Sequence, residues 1–351
     1  MVDFQAEDRR AREMLRDLQA PRPRVYWVDL LVTAVVGWLA FGAAASMPLS
    51  PEMFLCAALA ALALYRGLSF IHEISHINRS SLRGFERVWN ILFGFPLLLP
   101  SFTYLGVHQA HHNLSTYGTA RDPEYLPFAQ SRRMTIVFAL ESVLIPGILL
   151  LRFLVAAPVG LLLAPWVPRV ERWLAVHASS VTMNFTWRRE VTAELLLKMR
   201  RDSMLILLVW GAAIALLPAR VFFVWFGVYG AGSFINTLRT LAAHRYEGNG
   251  EPFDRRGQLR DSIDTPGAWW TELWAPVGLR YHALHHQFPG LPYHNLAEAH
   301  GRLVSVLGSD SIYRASVSHG LLTSLGNLLR LRTRWGRFPI CRHEPSAHEG
   351  S

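Results

Sequence analysis

Met53-Phe54-Leu55-Cys56-Ala57-Ala58-Leu59-Ala60-Ala61-Leu62-Ala63-Leu64-Tyr65-Arg66-Gly67-Leu68-Ser69-Phe70-Ile71, followed directly by His72-Glu73-Ile74-Ser75-His76, is the stretch on which the fold turns. A helix crosses the hydrocarbon core of a bilayer with roughly 17–25 apolar residues. This run supplies them with Arg66 as its one charge. Residues four apart share a helix face, so the run delivers His72 and His76 side by side at its end. A preceding run, Val28–Met47, carries only Asp29 near its start and joins the first through Pro48–Glu52. The two predict a helical hairpin over 28–71, turning at Pro48–Pro51. A second hairpin over 203–240 is predicted from Ser203–Leu217, which is rather short, and Val221–Thr237, with its turn at Pro218.

Charge orients the hairpins. Arg9, Arg10, Arg12, Arg16, Arg22 and Arg24 precede the first run, while Pro48–Glu52 has no Lys or Arg and Pro218–Arg220 has one. Basic segments stay in the cytoplasm, so both short turns face the far side. The N-terminus and all segments flanking the hairpins are then cytosolic. The expected location is multi-pass in a bacterial inner membrane. Ala43-Ala44-Ala45 resembles a leader cleavage site, but the arm before it is long and the apolar stretch exceeds the usual 7–15 residues. The first run is therefore read as a retained span.

Composition agrees. Of 351 residues 51% are hydrophobic and 12 are Trp, and the net charge of +9 lies in segments beside the apolar runs, which gives no reason to invoke nucleic acid. Cys56 and Cys341 alone can build neither a disulfide framework nor a Cys-ligated metal site. The expected organisation is a cytosolic arm (1–27), a membrane domain with a cytosolic histidine cap (28–305), and a cytosolic tail packing on or trailing from the cap (306–351). Val88–Leu105, interrupted by Gly94, Pro96 and Pro100, is read as an interfacial or re-entrant segment, because it separates two histidine clusters that must share one side. Met134–Trp166 contains Glu141, Pro146, Arg152, Pro158 and Pro165. It fits either a broken span pair or several helices on the membrane surface.

Beyond His72 and His76, the chain has His108-Gln109-Ala110-His111-His112 and His282-Ala283-Leu284-His285-His286, and His244 follows the fourth apolar run. One such H-x-x-H-H arises by chance in about one in forty chains this rich in histidine, and two together far more rarely. Neutral imidazole suits Zn, Cu, Fe and Ni. Nine histidines exceed the roughly four ligands of a zinc site but fit two metals with four or five imidazoles each. Iron is preferred because an apolar substrate path calls for redox chemistry rather than hydrolysis. His72-Glu73-Ile74-Ser75-His76 also matches the H-E-x-x-H of zinc proteases, with Glu73 as general base. A membrane-embedded protease of that kind would leave both H-x-x-H-H clusters without a role.

The chain resembles the membrane fatty-acid desaturase and hydroxylase superfamily, with its three histidine boxes, two hydrophobic hairpins and a separate fourth histidine region. Asn113-Leu114-Ser115-Thr116-Tyr117 and Asp122-Pro123-Glu124 are similar to the continuation of its second box, and Gln287–Leu296 to the Phe-Pro-x-x-Pro stretch after the third. The resemblance spans about residues 25–305. It implies an all-α integral membrane fold with four main transmembrane helices and a cytosolic cap holding a di-iron site. Its ligands would be His72, His76, His108, His111, His112, His244, His282, His285 and His286. One departure is visible: where some relatives carry a water-linked Asn four residues before the lone histidine, this chain has Thr240, with Asn236 one turn earlier.

Glu73, Asp122, Glu124 and Asp264 are candidates for hydrogen-bonding a ligand imidazole and fixing its orientation, weighed against ordinary solvated loop charges. His294 and His300 follow the third box without extending its spacing and are read as helix-surface residues or supports of a ligand rather than ligands, and His177, His319, His343 and His348 fall outside the clusters and are read as structural. Gly227–Gly232 lies within a hydrophobic run and follows no strand, so close helix packing or room for an acyl chain is expected there rather than a nucleotide loop.

Two irons and O2 would oxidise an unactivated C–H bond of a fatty acid or fatty-acyl chain. Desaturation is the expected outcome. Hydroxylation, including that of a carotenoid-like lipid, and decarboxylation to a terminal alkene are the alternatives. No flavin, nicotinamide, cytochrome b5 or Cys-cluster signature is present, so electrons should come from a separate ferredoxin or cytochrome with its reductase.

Overall fold

The computed structural model describes residues 4–330 apart from 79, 120 and 164–191. The described residues are helical, with isolated bridges and no strand. His177, His343, His348, Cys341, the last residues of Met134–Trp166 and residues 331–351 of the tail lie outside them.

The first hairpin consists of Pro23–Ser46 and Pro51–His76. Each begins with proline in its first turn, where a missing N–H costs nothing. The Ser50 side chain accepts the Met53 N–H at 3.3 Å, a cap worth about 1 kcal/mol. Leu39 and Leu55 are 70% and 72% exposed on the outer faces, as expected of helices that meet lipid. The second hairpin is Ala193–Leu216 and Ala219–Ala242, turning at Leu217–Pro218.

Four helices are long and apolar enough to cross a membrane among the described residues: Pro23–Ser46, Pro51–His76, Arg132–Gly160 and Ala219–Ala242. The expected third member differs. Ala193–Leu216 carries Lys198, Arg200, Arg201 and Asp202 in its first half, and the run after the second histidine box takes its place in this set. That run is neither a span pair nor a set of separate surface helices. Over its described residues it is continuous helix, tightened to 3-10 geometry at Ser142–Leu144 and widened to π geometry at Leu151–Ala156.

Within 88–105, residues 90–101 form an excursion that returns to its starting point. Asn90 and Ser101 close its mouth, the Ser101 N–H donating to Asn90 Oδ1 at 2.8 Å and the Asn90 amide to Ser101 Oγ at 2.9 Å. Inside the loop, tryptophans of three helices donate to its carbonyls. Trp38, Trp210 and Trp225 donate to the carbonyls of Leu92, Phe95 and Pro96 at 2.9, 3.2 and 3.1 Å. Non-helical backbone is tolerated at membrane depth when protein groups complete its hydrogen bonds in this way.

The glycine run divides between its two expected roles. A Cβ on Gly230 would lie 2.9 Å from the Val143 carbonyl oxygen, and one on Gly232 3.3 Å from Tyr65 Cβ, so both permit close helix contact. Gly227 instead borders an apolar groove of about 670 Å³ between Pro51–His76 and Ala219–Ala242, lined also by Met53, Ala57, Ala61, Val224 and Ala231.

The N-terminal arm docks on the segment after the third box. Arg302 grips Asp17 with two bonds of 2.6 and 2.8 Å, the Asn295 amide donates to the Leu18 carbonyl at 2.6 Å, and the Arg22 N–H donates to His294 Nε2 at 3.1 Å. His294 is thereby engaged structurally, and the His300 ring lies 2.6 Å from the Tyr313 hydroxyl.

Candidate metal centre

His72 and His76 occupy the last turn of Pro51–His76. The second box is the short helix Val107–His112, entered through Gly106 at φ +88°, a left-handed turn that strains any residue with a Cβ. His244 stands two residues beyond Ala219–Ala242, and the third box is His282–Gln287. All nine histidines converge. His72, His76, His108, His112 and His285 form one group, and His111, His244, His282 and His286 a second, with the ligand atoms of each group within 4.8 Å of one another. Only His76 and His112 are less than fully buried.

The donor set fits metal ions. Nε2 atoms face each other at 3.0 Å in His108–His112 and His112–His285, 2.8 Å in His244–His282 and 3.1 Å in His282–His286. Neutral imidazoles have one N–H each, so such crowding leaves lone pairs pointing at lone pairs unless a cation lies between. Both ring nitrogens of His72 and Nε2 of His76 are buried with no hydrogen-bond partner, at about 1–3 kcal/mol for each buried group left unpaired. Burial first, then repulsion from neighbouring rings, pushes His108, His112, His282, His285 and His286 well below the ordinary histidine range. They are neutral, the form that binds metal. Burial also lowers His244, against the pull of Asp261. For His111 burial acts downward, but Asp122 overcomes it and raises the ring above its usual range.

Two of the sequence-predicted carboxylates meet an imidazole directly. Glu124 Oε2 lies 2.6 Å from His108 Nδ1, and both Asp122 oxygens lie 3.0 Å from His111 Nδ1. Each fixes the proton on Nδ1 and turns Nε2 toward the centre. Glu73 differs. Its Oε2 accepts from the Tyr26 hydroxyl at 2.6 Å and the Tyr293 N–H at 3.1 Å, leaving Oε1 3.7 Å from His72 Nδ1, beyond a hydrogen bond. Asp264 holds the backbone of the third box rather than a ring, accepting the Leu284 N–H at 3.1 Å and the Tyr313 hydroxyl at 2.8 Å. Asn236 Oδ1 accepts from Arg239.

Sequence reasoning missed the support of His244. The Tyr117 hydroxyl donates to Asp261 at 2.9 Å, so its oxygen is free to accept the His244 Nδ1 proton, also at 2.9 Å. Asp261 reaches the site because 261–263 pair with the backbone around His244: Ile263 N–H donates to the Ala243 carbonyl at 2.8 Å, and Arg245 N–H to that of Asp261 at 2.7 Å. Tyr117 closes the Asn113–Tyr117 stretch, so a signal for it existed. Asp261 had none. Tyr104, whose hydroxyl sits 2.9 Å from His108 Nδ1, was likewise unmarked.

The profile of the fatty acid desaturase family matches residues 50–317. The chain belongs to that family. Among its relatives is a ceramide hydroxylase of Caulobacter vibrioides (strain NA1000 / CB15N), 38% identical over 333 residues that cover 92% of this chain and 93% of the relative. No solved structure matches the chain. Family and relative together make it an oxidoreductase of the desaturase and hydroxylase type, acting on lipid.

Proposed function

We propose that this chain hydroxylates an unactivated C–H bond of a ceramide-like lipid, using O2 and a pair of iron ions held by the nine histidines. The observation that carries this reading is the pairing of five and four buried imidazoles in a chain 38% identical to a ceramide hydroxylase. That relative moves the preference from the desaturation expected of the sequence to hydroxylation. The iron pair, when bound, supplies the oxidising power that C–H cleavage requires.

The chain's own groups do the rest. Glu124, Asp122 and the Tyr117–Asp261 pair hold protons on Nδ1 of His108, His111 and His244 and aim Nε2 inward. Burial of the boxes excludes water from the site. The site lies at the cytosolic face of a bacterial inner membrane, and its electrons come from a separate acidic ferredoxin or cytochrome drawn to a basic protein surface.

Purified protein loaded with iron and given a reductase–ferredoxin pair should convert ceramide to a product one oxygen atom heavier, the added atom coming from isotopically labelled O2. A product two hydrogens lighter would return the assignment to desaturation. Tight zinc binding with indifference to iron would remove it altogether. At subsaturating donor, turnover should fall as salt rises; salt-independent rates would discard the electrostatic docking.

A further inference from the structure

Arg239 is a charge that the metal ligands do not account for. It lies in the last turn of Ala219–Ala242, five residues before His244. Its Nη2 donates to Asn236 Oδ1 and Thr240 Oγ1, both at 3.0 Å. Its Nε is buried and has no partner, and no ion pair among the described residues includes it. Its position is central. The guanidinium neighbours the Tyr65 hydroxyl, and its charge is felt at His72, at Tyr104 and Glu124 beside the second box, and at His282 of the third.

An arginine here is expensive. It is partly desolvated at the membrane boundary, and it faces a centre that becomes cationic once loaded. Glu124, an anion within its field, is already committed to His108. Asn236 and Thr240 take both N–H groups of Nη2 and fix the plane of the guanidinium, while the buried Nε–H is left without an acceptor. That N–H can donate one charge-assisted hydrogen bond to an oxygen of a bound group.

We propose that Arg239 anchors the oxygen-bearing head of the lipid, a carbonyl or carboxyl oxygen, and so selects for oxidation a C–H bond only a few bonds from that head. The inference rests on the oxidative reading of the centre and gives its substrate a polar end and an orientation. Arg239 is on this view a specificity-determining residue.

Full-length protein in nanodiscs tests it with three probes of equal chain length: a ceramide, a free fatty acid and an n-alkane. Binding of each is measured by lipid capture, and products by mass spectrometry. Wild-type protein should bind at least one oxygen-headed lipid about 10–100-fold more tightly than the alkane, the range of one charge-assisted hydrogen bond. The ceramide and acid arms tell an amide from a carboxylate. Arg239→Met should erase that preference, raise KM more than it lowers kcat, scatter the position of oxidation and leave two irons bound; Arg239→Lys should restore part of the preference. Equal wild-type binding of all three probes overturns the proposal without need of any variant. So does an Arg239→Met protein with an unchanged preference, or one whose only defect is lost iron. Head-dependent binding that Arg239→Met abolishes, with no oxidised product from wild-type protein, would instead sink the oxidative reading and leave the anchor standing.

Discussion

The two histidine groups differ in how they are held. In the group of five, only His108 has a carboxylate on its outer nitrogen; the His72 ring lacks any hydrogen bond, and His285 has none on Nδ1. These rings are placed mainly by helix geometry, His72 and His76 by one turn of a membrane helix and His285 by the short third-box helix. In the group of four, His111 is clamped by Asp122 and His244 by Tyr117 with Asp261 behind it. The smaller group therefore combines fewer donors with the tighter fixing of two of them. A metal with four fixed imidazoles keeps more open positions for a reacting partner than one with five, and rigid ligands maintain that openness. If each group holds one ion, as proposed, the four-histidine group would leave its ion more open coordination positions than the five-histidine group.

Ligand deletion should have the largest effect. His286→Ala and His72→Ala are each expected to lower turnover by about 1,000-fold or more, since chemistry that needs two metals acting as a unit fails when either is lost. Iron content separates the groups. His286→Ala takes one of only four donors and should drop iron from two per chain toward one, whereas His72→Ala leaves four donors and should retain more than one. Equal losses in the two variants would erase the proposed asymmetry.

The supporting groups come next. Asp261→Asn and Tyr117→Phe should each weaken iron retention at the four-histidine group by about 10–100-fold, the usual cost of removing a partner of a ligand histidine. Glu73→Gln should do less to iron, because no bond links Glu73 to His72, and should show instead as a loss of about 1–3 kcal/mol in stability from the buried Tyr26 and Tyr293 contacts. Iron titration against a chelator, set beside thermal unfolding, reads both. An iron loss in Glu73→Gln as deep as that in Asp261→Asn would mean that Glu73 turns toward His72 when metal binds.

What the sequence disclosed follows physical range. The hairpins were legible because hydrophobic length is a local property, and the boxes because four-residue spacing places two rings on one face. The returning path of residues 90–101 followed from requiring clusters on either side of it to share a face. Its means of support did not, since Trp210 and Trp225 are more than a hundred residues from the carbonyls they bind. The broken run after the second box was ambiguous for a related reason: Pro146 and Pro158 read as interruptions, whereas 3-10 and π turns let the helix continue through them. Asp122 and Glu124 were visible beside their box. Asp261 reaches His244 only through the pairing of two loops, and nothing local marks it.

The smallest expected effect tests why the second group stops at four. Thr240 occupies the position where some relatives place a water-linked Asn, and here its hydroxyl donates to the Asn236 carbonyl at 2.9 Å and accepts from Arg239. Thr240→Asn would offer the group a neutral amide oxygen, linked through water rather than bound directly. A hydrogen bond of that kind contributes about 1 kcal/mol or less, so turnover should change by only about two- to threefold. The spectroscopic signature of one iron should shift while that of the other stays. A shift in both signatures, or a loss of turnover near that of His286→Ala, would show that Thr240 supports the whole centre through Arg239 and Asn236, and the contrast between the groups would then lie in that shared polar floor rather than in the number of imidazoles.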